Sequence, residues 1–309
     1  IMNNVTTNIK ALQEETLINL KNSKAVNTLR AYKSDFNDFS LFCIKNGFKS
    51  IPTEPKIVSL YLTNLSTKEI KISTLKRRLV SIGVIHKLKG HYLDTKHPSI
   101  VENIMGIKRR KGSVQIGKKP LLISNLKKII NVIDQQSIAE IKKLRDRSII
   151  LVGFAGAFRR KELVSLNFED LDFVTEGLKI NIRRSKTDQY GEGFTKGLPY
   201  FNTPIFCPVI SIQKWIKLSN ISSGPLFRRF TKGANLSEKR LTDQTVALLI
   251  KEYLNLAGID NRNYSGHSLR SGFATTAAEF GVEERSIMAM TGHKSVSYTH
   301  LTLPTKRIV

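Results

Sequence analysis

The stretch GHSLRSGFATTAAEFG, residues 266–281, decides how the rest of the chain is read. A helix would put His267 and Arg270, three positions apart, on one face. Ser268 and the glycine ahead of His267 suit a helix N-terminus, where unpaired backbone N–H groups attract anions. A His and Arg at this spacing is also common on an ordinary surface helix, so the stretch gains meaning only from its company.

Three further stretches keep it company. In GAFRRKELVSLNFEDLDF, residues 156–173, Arg159 follows a glycine-containing break, and Glu162 and Leu163 come three and four positions later. In RRSKTDQYGEG, residues 183–193, Lys186 stands where a strand gives way to a turn. In TGHKS, residues 291–295, His293 stands alone. Each has a bland reading: a surface arginine at a helix start, a solvated hairpin lysine, an exposed histidine. The carboxylates of FEDLDF read as caps and corner-builders.

Outward from these, the chain is mainly α. Residues 28–47 carry Leu29, Tyr32, Phe36, Phe39, Phe42 and Cys43 at helical spacing, with Asn27–Thr28 as N-cap and Gly47 just past the end. IVSLYLTNL starts a second helix after Pro55. A third, ISTLKRRLVSIGVIHKLKG, has Ile72, Leu75, Leu79, Ile82 and Ile85 in one stripe and Lys76, Arg77 and Arg78 largely opposite. Such a basic face is either plainly solvated or a nucleic-acid contact. The basic, Gly-containing run IKRRKGSVQIGKKP ends at Pro120 and reads as a linker. After it, LLISNLKKIINVID reads as a helix capped by Ser124, and two helical segments broken near Gly153–Gly156 fill 140–166. Leu178, Ile180 and Ile182 alternate with polar residues, which is a strand, turned back near Gly191–Gly193 into a second strand. Helices return at ISIQKWIKL, LTDQTVALLIKEYLNLAG and SLRSGFATTAAEFG.

Composition limits the function. The 309 residues are 40% hydrophobic, enough for two cored domains. Lys and Arg number 50 against 25 acids, a net charge of +25. A fold does not need that excess, whereas a polyanionic partner does. Cys43 and Cys207 form no CxxC pair, so neither a disulfide framework nor a zinc site is expected, and a reducing cytoplasm is. No apolar run reaches membrane-spanning length. A ribosomal or RNA-binding protein would explain the charge but not the ordered motifs.

Taken in order, G-x-x-R-x-x-E-L, strand–Lys–turn, H-x-L-R-x-x-F-A and G-H-x-S resemble the tyrosine recombinases of the phage-integrase type. Upstream, TLRAYKSDFNDFSLFC, STLKRRLVSI and HPSIVENIMGIKRRKG resemble the helical core-binding domain of the Cre-like members. The resemblance implies a helical N-terminal core-binding domain at 8–107, a linker at 108–120, and a mixed, mostly helical catalytic domain with a small antiparallel sheet at 121–295. It implies strand cleavage through a 3′-phosphotyrosine, with Arg159 and Arg270 clamping the phosphate, His267 assisting deprotonation, Lys186 protonating the leaving 5′-oxygen, His293 donating to the phosphate, and Glu162 bracing the site. Arginines would take the part that divalent ions play in two-metal nucleases, so no cofactor or metal is expected. The implied partner is double-stranded DNA, held by a homo-tetramer in the nucleoid, with no membrane. Thr28, Arg30, Lys33, Lys76, Arg77 and Arg78 are the DNA-contact candidates of the first domain. A type IB topoisomerase and a non-catalytic DNA-binding protein on the same fold are the rival readings.

The nucleophile is the open position. The family's tyrosine falls about nine residues after the histidine of G-H-x-S, which is Thr302 here. Tyr298 is one helical turn too early, a displacement of roughly 6 Å, against the roughly 3–3.5 Å placement that attack requires. Residues 296–309 lack helical periodicity, contain Pro304, and back-translate to a string resembling a sequencing adapter. They are read as a non-native tail, and the chain as given is expected to bind DNA but cleave poorly.

Overall fold

A computed structural model describes residues 11–12, 15, 25–68, 70–112, 117–183, 193–231 and 235–292. The chain forms two compact units, residues 1–115 and 116–309.

The first unit holds four described helices: α1 Val26–Lys45, α2 Pro55–Thr67, α3 Ile72–Leu88 and α4 Pro98–Lys111. Its core is the set of stripes visible in the sequence, with Phe39, Tyr61, Leu62, Leu75, Ile82 and Ile100 fully buried. Gly47 takes φ +71° just past α1, as expected of a helix-ending glycine. The start of α1 differs from the Asn27–Thr28 cap. Ala25 is the cap, with no side-chain bond, and its carbonyl accepts from the N–H groups of Thr28 and Leu29 at 2.8 and 3.1 Å. The run 108–111, expected in the linker, continues α4. Ile107 is buried, and Lys108, Arg109, Arg110 and Lys111 fill the last turn, where cations suit the negative helix end.

The basic face of α3 is less free than its sequence implies. Asp35 of α1 is buried and accepts from Arg77 at 2.5 Å and from Ser81 at 2.8 Å. Arg78 donates to Asp38 and, at 2.5 Å, to the Tyr61 hydroxyl. Its side chain is only 17% exposed. Lys76 is exposed.

The second unit begins with α5 Ile123–Gln135 and α6 Glu140–Ala155. Ser124 lies inside α5, whose cap is Leu122 with no side-chain bond. Helix α6 is buried on every side from Ser148 to Ala155, the pattern of a central helix. The short α7, Arg160–Ser165, leads to a three-stranded antiparallel sheet in the order β1 Leu171–Val174, β2 Gly177–Ile182, β3 Phe194–Pro199. Leu178, Ile180 and Ile182 face inward as their alternation requires. The corner carboxylates act as caps: Asp170 accepts from the Asn167 N–H at 2.8 Å, and Glu169 from the Gly224 N–H at 2.8 Å. Then come α8 Pro208–Ser219, a hairpin of β4 Arg228–Phe230 and β5 Leu236–Arg240, α9 Asp243–Leu256, α10 Ser268–Glu279 and α11 Glu284–Thr291. Strand β1, the β4–β5 hairpin and α11 have no counterpart in the sequence expectations. They are short, three to eight residues, and carry too little periodicity to be seen.

Helix α10 is seated by contact between backbones. The Leu121 N–H donates to the Ser268 carbonyl at 2.9 Å, and one turn later Gly272 lies against the same residue. A Cβ on Gly272 would stand 2.0 Å from the Leu121 carbonyl oxygen, which is backbone and cannot swing away. Gly272→Ala is therefore expected to lower stability by about 1–3 kcal/mol, the range for overpacking a tight site. Urea unfolding followed by circular dichroism measures it, and an unchanged midpoint contradicts this packing.

Candidate active site

The site grows from the end of α6. After Ala155, Gly156 caps the helix and Ala157 takes the left-handed conformation, φ +47°. The Phe158 N–H reaches back to the Gly153 carbonyl at 3.1 Å and the Ala157 N–H to the Phe154 carbonyl at 3.0 Å. That is a Schellman ending with alanine where glycine is usual, a local cost of about 1–2 kcal/mol. The ending reverses the chain and delivers Arg159 in extended conformation at the mouth of α7. Glu162 locks it there: one carboxylate oxygen accepts the Arg159 backbone N–H at 2.9 Å, and the other accepts its guanidinium at 2.6 Å. Glu162 is 3% exposed. The far end of α7 is held by Arg240 of β5, which donates to the carbonyls of Val164 and Leu166 at 2.6 and 2.9 Å.

Arg270 arrives from α10. It is 5% exposed and donates to the carbonyl of Ala157 at 2.9 Å and to that of Thr291 at the end of α11. Burial, with the like charge of Arg159, pulls its guanidinium down to about 10, while Glu162 opposes the shift. His267 sits at the N-cap of α10 and is exposed, whereas Arg270 is buried. His267 has helical backbone angles, so the pair keeps its three-residue helical spacing, and the first turn straddles the surface.

A third cation was not anticipated. Lys196 of β3 is 2% exposed. Its Nζ donates to the carbonyl of Gly156 at 2.5 Å and of Met290 at 2.6 Å, and lies 4.6 Å from the centre of the Phe158 ring. Burial drags its pKa to about 7. Glu162 pulls the other way, and Arg270 and Arg159 add to the fall. Strand alternation could have found it, since Lys196 shares the inward parity of Leu198. Three cations and one carboxylate thus share one neighbourhood at the ends of α6 and α11. Lys186, His293 and Tyr298 lie outside the described residues, as do Thr302 and the whole 296–309 tail. Among the described residues no cluster of His, Cys, Asp and Glu could hold a metal ion, and no helix is long and apolar enough to cross a membrane.

Residues 121–302 match the phage integrase family. An integrase/recombinase XerD homolog from Selenomonas ruminantium is 38% identical over 284 residues, covering 91% of this chain and 82% of the relative. Two solved structures share the fold. The XerH site-specific recombinase bound to palindromic difH substrate in a post-cleavage complex gives a TM-score of 0.65 at 19% identity, covering 87% of this chain and 73% of that one. A lambda integrase tetramer bound to a Holliday junction gives 0.58 at 16% identity, covering 92% and 76%.

The depressed lysine sets a pH dependence. Unfolded, residue 196 holds its proton to its ordinary value of 10.5; folded, it releases it near 7. Between those values the unfolded state binds more protons, so this residue makes stability rise with pH across that window and contributes no slope below it. Urea midpoints measured from pH 6 to 10 are expected to show that rise in the natural chain and a smaller one in Lys196→Met. Equal slopes in both would contradict it.

Proposed function

The chain belongs to the phage integrase family of tyrosine recombinases, and from that premise we propose that it cuts and rejoins duplex DNA at specific sites. A tyrosine oxygen attacks the scissile phosphorus, the bond to the 5′-oxygen breaks, and the protein is left joined to the 3′-phosphate. The freed 5′-hydroxyl of the same or another strand then reverses the step. No net bond energy is lost, because one phosphoester replaces another.

The observation that supports this is the pairing of Arg159 and Arg270 beside Glu162. The transition state gathers negative charge on the non-bridging oxygens, and planar guanidiniums can meet those oxygens two at a time, which an ammonium cannot. In this reading Arg159 and Arg270 hold the phosphate and Glu162 holds Arg159. His267, exposed at the first turn of α10, assists deprotonation of the attacking tyrosine. Lys186 passes a proton to the leaving oxygen, and His293 donates to the phosphate. The described residues supply one buried arginine, Arg270, and one partly buried, Arg159, so their attraction for an anion is less screened than at an open surface.

We further infer a homo-tetramer on DNA as the working form, as in the lambda integrase complex, acting in the cytoplasm with the nucleoid. In the first unit, Arg30, Lys33 and Lys76 present exposed charge to phosphates, Thr28 is half-buried on the same helix as Arg30 and Lys33, and Arg77 contributes the part that Asp35 leaves exposed. Arg78 is mainly a structural tie in this arrangement. A non-catalytic DNA-binding protein on the same fold is the alternative.

Nicked duplexes selected from a random pool by binding to the whole chain would separate the two. A protein–DNA adduct surviving denaturation, in the chain as given or in one whose residues 296–309 are replaced by the C-terminus of the 38% identical relative, supports the recombinase, and mass spectrometry of the adduct identifies the nucleophile. In whichever form is active, Arg159→Ala and Arg270→Ala are each expected to slow adduct formation about 10²–10³-fold. Binding without adducts in both forms favours the alternative. A second measurement addresses the first unit. Lys76→Ala is expected to reduce the slope of log affinity against log salt by about 1. Arg78→Ala should instead lower thermal stability and leave that slope nearly unchanged. The reverse pattern would mean that Arg78, not Lys76, faces phosphate.

A further inference from the structure

Helix α11 poses a problem of support. It has eight residues, and only Thr291 among them is buried. A helix this short is not stable by itself in water. Half of its residues are exposed, Ile287, Met288 and Met290 are partly buried, and Met290 packs against the core. Yet it leads directly into Gly292 and the G-H-x-S segment.

Two side chains hold its end. Lys196 joins the carbonyl of Met290 to that of Gly156; Arg270 joins the carbonyl of Thr291 to that of Ala157. The two cations run in parallel between the same two helix ends, one residue out of step. Both ends are C-terminal turns, where carbonyls lack partners within the helix and the helix dipole is negative. We propose that Lys196 is a positioning residue that pins the last turn of α11 to the last turn of α6, and so fixes where Gly292 leaves the helix, one residue before the His293 that the recombinase reading gives to the phosphate. Arg270 is already assigned to the phosphate, so the clip lets one cation hold the helix while the other serves substrate as well. Lys196 bonds backbone carbonyls on both sides and reaches the surface nowhere, which fits a clip better than a substrate contact. The groups facing it are Glu162 from α7, Arg159 at the mouth of α7, Arg270 from α10, and the rings of Phe158 and Phe194.

The role in catalysis rests on the recombinase reading; the clip itself does not. Hydrogen–deuterium exchange of the whole chain tests the clip. In Lys196→Met, which keeps the length and removes the donors, amides of 284–292 are expected to exchange about tenfold faster or more, the scale of losing a charged hydrogen bond. Amides of α5, α8 and α9 should keep their protection. Lys196→Arg, still able to span two carbonyls, should restore most of it. Unchanged exchange at 284–292 overturns the clip, and so does equal loosening across 117–292, which would make Lys196 only a core residue. On the nicked duplex, Lys196→Met is expected to cut the rate of adduct formation at least tenfold at unchanged DNA affinity. An unaltered rate beside a loosened α11 overturns the positioning role. Adducts absent even after residues 296–309 are replaced by the relative's C-terminus, with α11 loosened as expected, would sink the recombinase reading and leave the clip standing.

Discussion

Three cations brought out of water around one carboxylate are the constraint to which the second unit is built. Arg159, Arg270 and Lys196 repel one another, and among the described residues Glu162 is the acid that offsets them. Burying such a set costs several kcal/mol per ion unless every donor meets an acceptor. The fold supplies the acceptors from backbone: the carbonyls of Gly156, Ala157, Met290 and Thr291. Those carbonyls are orphans of helix termination, so the chain satisfies two deficits with one set of bonds. The remaining positive potential is what an anion would neutralise, which makes a phosphate the natural completion of the site.

That arrangement requires two helix ends in fixed register, and the structure shows where the rigidity comes from. The Schellman ending at Ala157 accepts left-handed strain in order to turn Arg159 back towards Glu162. Gly272 lets α10 press against the backbone of Leu121, which fixes the depth of Arg270. Arg240 ties α7 from its far side. Ala157, Gly272 and Arg240 are not proposed to touch substrate, yet a shift of an ångström in any of them would displace the guanidiniums. Placement at that precision is where a large share of catalytic power resides.

Long helices of both units were legible in the sequence because stripes of Leu, Ile and Phe at 3.6-residue spacing survive in the folded chain as the core. Strand β2 was legible through inward alternation at Leu178, Ile180 and Ile182, and β3 as the second strand expected after the Gly191–Gly193 region. Arg159, Glu162 and Arg270 stand out in the sequence only through the resemblance, since each in isolation looks like surface charge. Lys196 escaped for a physical reason: a lysine in a strand is ordinarily solvated, and what buries this one is the approach of α6 and α11 from distant parts of the chain. The caps at Ala25 and Leu122 escaped because tertiary packing started those helices without help from a capping side chain. Arg77 and Arg78 read as a basic face because their acidic partners lie on another helix, forty or more positions away.

Charge therefore does two separate jobs in this chain. Most of the +25 is carried by exposed lysines and arginines, such as Lys76 and Arg30, whose fields salt screens within about 10 Å. Charge of that kind draws in a polyanion and says little about where on it the protein stops. The buried cations are few, and their neighbours fix them in place. Low local polarizability lets them act strongly over a few ångströms on whatever charge forms there. The first kind could be rearranged across the surface with little harm to the fold. The second cannot, because each buried cation is also a tie between elements. Arg270 joins α10 to the ends of α6 and α11, and Lys196 joins β3 to the same two ends, so a group that would meet the phosphate also helps to hold the site's walls together, and Lys196 does so without meeting it.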